Sequence, residues 1–78
     1  PNPASASATL AFDTHQAFDE VSIELLDLTG RVIWNGFRGV MAMGAYQFEV
    51  PTSALAQGNY VLVVEADGRR SATKLMVQ

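Results

Sequence analysis

Catalysis needs side chains that can hold or move a proton, bind a metal or attack a substrate, and this sequence offers few of them. His15 is the sole histidine, and there is no cysteine. A lone imidazole serves as base or ligand only beside a nucleophile or an orienting carboxylate, and His15 stands in a loop-like stretch without either, so it reads as a solvated residue. Lack of cysteine excludes a thiol nucleophile, a disulfide scaffold and a thiolate metal site together. Asp13, Asp19 and Glu20 could offer oxygens to calcium, yet their spacing matches no calcium loop, and solvated charges explain them better. Asp27-Leu-Thr-Gly30 superficially resembles the Asp-Thr-Gly of aspartic proteases. That chemistry needs a second carboxylate in an equivalent turn, and a simple turn is the better reading. Gly36, Gly39 and Gly44 lack the spacing and the following lysine of a phosphate loop. The expectation is therefore a chain with no catalytic residue, no metal and no cofactor.

Binding residues are more plentiful. Trp34, Phe37 and Tyr46 could stack on a sugar, although aromatics at such positions in a small β domain more often form its core. Arg69, Arg70 and Lys74 gather near the end of the chain, where charge also keeps an edge strand from pairing with other chains. The net charge is −3, and its distribution is uneven: residues 1–30 carry five acids and no Lys or Arg, while all five basic residues follow Gly30. An acidic half followed by a mildly basic one argues against nucleic acid as a partner, which requires a concentrated basic surface. No apolar run reaches the length of a membrane span, so no transmembrane segment is expected. There is no signal peptide, and the chain opens on Pro1 rather than Met, as expected of a piece of a longer product.

These residues must be positioned by short strands. Val21, Ile23 and Leu25 alternate with Ser22 and Glu24, which puts one set in a core and the other in water. Gly30 supplies the reversal, and Arg31 opens the return strand, so Val21 to Trp34 reads as a β-hairpin. Pro1-Asn2-Pro3 cannot start a helix or a central strand, and residues 1–8 read as a lead-in before a first strand over Thr9 to Phe12. After the hairpin, the next segment is punctuated by Gly36, Gly39 and Gly44; Val40 to Met43 within it shows no clear period, and the segment reads as a loop with a possible short strand. Tyr46, Phe48 and Val50 alternate with Gln47 and Glu49 and are closed by Pro51. Thr52 to Gln57 suggests one helical or 3₁₀ turn ending at Gly58. Tyr60 to Ala66 is the most β-prone run and is expected to be central. Asp67-Gly68 predicts a two-residue turn of the primed type, returning the chain as a last strand over Arg69 to Val77. Six to seven strands at spacings of about ten residues predict an all-β fold, a small antiparallel β-sandwich in a single domain over residues 1–78.

Both faces of the Leu62 strand are apolar, with Tyr60, Leu62 and Val64 on one side and Val61 and Val63 on the other. Ile33, beside Val32 and Trp34, raises the same question. Either the outer face is covered by long neighbouring side chains, or Val61, Val63 and Ile33 form a docking patch.

Four landmarks then fall into one order: Pro1-Asn-Pro3, Asp27-Leu-Thr-Gly-Arg31, Leu55-Ala-Gln-Gly-Asn-Tyr60, and Lys74-Leu-Met-Val77. In this order the chain resembles the C-terminal sorting domain of the type IX secretion system of Bacteroidetes, over essentially its whole length. The resemblance implies an immunoglobulin-like sandwich that acts as a non-enzymatic secretion signal for a cargo protein preceding it in the polypeptide. It implies recognition by the translocon and an outer-membrane shuttle protein, then removal by a sortase, with passage through the periplasm to the cell surface or the medium. Carried over by motif, Pro1, Asn2, Pro3, Gly30, Gly58 and Tyr60 are family positions with structural roles. Arg31, Lys74, Met76, Val77 and Gln78 are left as candidates for recognition, at a tail less basic than that of many relatives. The alternative is an accessory immunoglobulin-like module of a secreted enzyme or adhesin, binding a glycan or packing on a catalytic neighbour.

Overall fold

The computed structural model describes residues 7–78; the landmark formed by Pro1, Asn2 and Pro3 lies outside them. Six strands follow in order: β1 Ala8–Thr14, β2 Phe18–Asp27, β3 Val32–Met41, β4 Gly44–Val50, β5 Gly58–Ala66 and β6 Arg69–Val77. A 3₁₀ turn over Thr52–Ala54 separates β4 from β5. All pairings are antiparallel and build two sheets, β1-β4 and β3-β2-β5-β6. The shortest dimension of the molecule is 16 Å, which suits two sheets packed about 10 Å apart. This is the all-β sandwich that the strand count predicts.

The core lies between the sheets. Val21, Ile23 and Leu25 of β2 are fully buried, and the register sets them beside Ala66, Val64 and Leu62 of β5. From the smaller sheet, Leu10, Phe12, Tyr46 and Phe48 pack on the cluster of Val21, Ile23 and Met41, while Val50 joins Leu25 and Tyr60. Phe12, Tyr46 and Phe48 stack at ring separations of 5.9–6.4 Å, and Phe37 meets Phe48 edge-on at 5.9 Å. Trp34 packs against both clusters. The aromatics are thus used inside the sandwich.

The segment that reads as a loop with a possible short strand is divided: Gly36 to Met41 belongs to β3, while Ala42 and Met43 link it to β4. Its period is masked because Val40 is apolar yet 73% exposed and Gly39 brings no side chain to the inner face. The register shifts between Ile23 and Glu24 and between Leu25 and Leu26, leaving Gly36 and Ile33 as unpaired extra residues of β3. A bulge re-aims side chains, so Ile33 and Trp34 both reach the cluster of Leu25, Val50 and Tyr60. Ile33 therefore leaves the suggested docking patch. The third bulge lies in β2, where Asp19 and Glu20 oppose a single residue of β3. Asp67 closes it: its Oδ1 accepts the Asp19 N–H at 3.1 Å and the Glu20 N–H at 2.9 Å.

The turns follow their sequence signals. Asp67 and Gly68 have φ of +47° and +88°, a primed two-residue reversal. Gly58 also has positive φ and leads into Tyr60, whose hydroxyl donates to the Ala56 carbonyl at 2.6 Å. That bond, from the start of a strand back across the corner before it, is the tyrosine corner known from immunoglobulin-like sandwiches.

Candidate recognition surface

The hairpin turn between β2 and β3 is knotted around Asp27. Its Oδ1 accepts the Thr29 N–H at 2.9 Å, the Thr29 hydroxyl at 2.6 Å and the Arg31 N–H at 3.0 Å. Gly30, at φ +91°, donates its N–H to the Asp27 carbonyl. This is a three-residue loop ending in the left-handed conformation, where glycine carries no Cβ penalty. The Thr29 hydroxyl, followed by the Arg31 N–H, holds the Asp27 carboxyl below the usual carboxylate range; the Arg31 charge adds least. Arg31 Nε lies 3.3 Å from Asp27 Oδ2, but the Arg31 side chain is 77% exposed. The turn is therefore fixed mainly by main chain and Thr29, and the guanidinium faces water.

Arg31 shares one end of the four-stranded sheet with the tail. There β2 ends, β3 begins, β5 begins and β6 ends. On the outer face at this end, Val32, Leu26, Val61 and Lys74 form one cross-strand row, and Met76 opposite Asn59 begins the next. Strand spacing puts the β3 and β6 ends of that row about 14 Å apart. Leu28, Val32 and Met76 are exposed, Leu26 and Val61 half-buried. Val77 instead packs with Leu75 on the inner cluster of Leu25, Val50 and Tyr60. Gln78 is exposed, and its amide approaches the Met76 sulfur. Of the sequence candidates, Arg31, Lys74, Met76 and Gln78 are accessible at one end, while Val77 faces inward. Val63 lies on the outer face yet is only 5% exposed, between Glu24 and Ala72; Glu24 is also ion-paired with Arg38 at 3.7 Å. The outer face of the Leu62 strand is thus partly covered by neighbours, and its open apolar part is the row of Val32, Leu26 and Val61.

His15 is exposed between β1 and β2. No group of three or more His, Asp and Glu side chains is arranged to hold a metal among the described residues, and no helix there is long and apolar enough to cross a membrane. Trp34, Phe37 and Tyr46, the possible sugar platform, pack against the inner clusters. Sequence reasoning missed Asp67 as the bulge cap and Asp27 as the hub of its turn. An Asp two residues before a Thr and three before a Gly is a local signal for the second; the first links residues 48 apart and has none.

Strands, turns and an exposed sheet end define a small all-β module that presents a folded surface. Residues 1–78 match the family model described as the secretion system C-terminal sorting domain. The chain belongs to this family, the C-terminal sorting domains of the type IX secretion system. No match was found among curated proteins. Membership makes the chain a cargo-attached sorting signal for export across the outer membrane, in a family that is generally non-catalytic.

Proposed function

We propose that the chain is a folded address label whose sheet end, carrying Arg31, Lys74, Met76 and Gln78, is bound by the translocon and the outer-membrane shuttle protein. A sortase then removes the domain, after the cargo has passed from the periplasm to the surface. The family match over residues 1–78 carries this reading. Its support at residue level is that Arg31, Lys74, Met76 and Gln78 lie exposed at one end of the four-stranded sheet rather than scattered over the surface.

The test is a periplasmically targeted reporter fused to the N-terminus of this chain, in a host that has the secretion system. The reporter is expected at the cell surface. Retention of a folded fusion in the periplasm would overturn the reading. Lys74→Ala should lower export while shifting stability by no more than about 0.5 kcal/mol, since an exposed strand lysine contributes little to folding. Equal loss of both would reassign Lys74 to the fold.

A further inference from the structure

The edges of the four-stranded sheet are not equivalent. β3, at one side, has three register shifts in its pairing and contains Gly36 and Gly39. Bulges of this kind twist an edge and spoil it as a template for another strand. β6, at the other side, pairs with β5 over nine consecutive residues without a shift and contains neither glycine nor proline. Its far side is long and regular, and among the described residues no strand pairs with it.

The turn fixes which main-chain groups face that side. Asp67 and Gly68 form a two-residue loop, so Ala66 and Arg69 are the hydrogen-bonded pair that closes it. Pair type alternates along an antiparallel ladder, so Ser71, Thr73, Leu75 and Val77 bond to β5. The N–H and C=O groups of Arg70, Ala72, Lys74 and Met76 consequently point away from the sheet. A free edge with four donors and four acceptors in register can take another strand.

Charge narrows what that strand can be. β6 carries Arg69, Arg70 and Lys74, three of the five basic residues in the chain, and no acid. Arg70 lies opposite Glu65, but Lys74 lies opposite Val61 and meets no carboxylate across the pair. Antiparallel pairing of β6 with a second copy about Ala72 would set Arg70 against Lys74 twice, and like charges directly opposite are destabilising. A strand with carboxylates at alternate positions meets both cations favourably. The same cations turn away apolar and basic strands, so edge protection and selection come from one feature.

We infer that the free edge of β6 accepts an extended segment of a partner, added as a fifth strand of the sheet, with Asp or Glu at alternate positions facing Arg70 and Lys74. Main-chain bonds supply the affinity and the carboxylates the choice. This rests on the recognition reading for the identity of the partner, which is then the component that reads the sorting signal.

The test uses the 78-residue chain and two capped nonapeptides, one alternating valine with glutamate and one alternating valine with lysine. Amide exchange and peptide titration are followed by NMR. The glutamate peptide should slow exchange at Arg70, Ala72, Lys74 and Met76 and leave Thr73 and Leu75 unchanged. The lysine peptide should bind at least about tenfold more weakly, a difference of about 1.4 kcal/mol. Ala72→Pro removes an outward N–H and no bond to β5, so it should keep the fold and weaken binding by about tenfold or more. The double change Arg70→Glu, Lys74→Glu should reverse the preference between the peptides. Absence of binding, equal affinity for both peptides, or protection located elsewhere overturns the proposal. Protection of the same amides by rising chain concentration without peptide overturns it too, in favour of a second copy. A chain that fails here yet exports the reporter loses only the edge proposal; one that passes here and fails to export loses only the sorting reading.

Discussion

Asp27 shows how one side chain can fix a turn and also report on pH. Its carboxylate takes three hydrogen bonds from Thr29 and Arg31, and the Thr29 hydroxyl is the foremost reason that its pKa lies below the usual range. Glu49 is shifted in the same direction by the hydroxyls of Ser7 and Thr9. A carboxyl whose folded pKa is depressed contributes stability that is fully present above its unfolded value and is lost as pH falls through the folded one. The urea midpoint should thus hold steady from about pH 7 to 5 and fall below about pH 4. Asp27→Asn should be less stable than the parent near neutral pH, and the gap should narrow as acid is added. A gap that stays constant with pH would show that the charge of Asp27 has no part in the turn.

At the scale of elements, β3 is shaped by what lies over its bulges. A Cβ added at Gly36 would overlap Trp34 Cη2 and come within 2.7 Å of Cζ3. The indole therefore occupies the space that a side chain at position 36 would need. Trp34 touches both core clusters, so it has little room to give. Gly36→Ala should cost about 1–3 kcal/mol as an overpacked site. Because Trp34 is the only tryptophan, its fluorescence should shift in the folded variant. Unchanged emission and stability would mean that the ring is not held there. The corner before β5 uses the opposite device: Gly58 at positive φ lets the chain turn so that the Tyr60 hydroxyl returns to Ala56.

For the molecule as a whole, the smaller sheet is not sufficient by itself. Two strands alone are at best marginally stable in water, so β1 and β4 depend on the larger sheet. Val50 is the contact that joins them most directly: it belongs to β4, is 1% exposed and packs with Leu25 of β2 and Tyr60 of β5. Val50→Ala should lower stability by about 1–3 kcal/mol, with the dependence on urea unchanged, because both sheets unfold together. A second transition, or a smaller urea dependence, would show that the small sheet opens separately. The asymmetry between the bulged edge at β3 and the regular edge at β6 is also a property of the whole sheet.

Local chemistry was legible in the sequence. Asp67-Gly68, Gly30 and the alternation of Val21, Ile23 and Leu25 act over a few residues, and the turns and faces they predict are those observed. The bounds of β6 and the central place of β5 follow from β-propensity and spacing in the same way. Bulges were not legible, because an extra residue re-aims side chains without a local mark; hence Ile33 stood open between a covered face and a docking patch. Beyond Gly36 the exposed apolar Val40 hid the period, so that segment read as a loop with a possible short strand. By itself the sequence determined the strands apart from the second half of β3, the turns and, through ordered motifs, the kind of domain. Only the tertiary structure decided that Arg31, Lys74, Met76 and Gln78 share an accessible end while Val77 turns inward, since that depends on strand order and register set by contacts between distant segments.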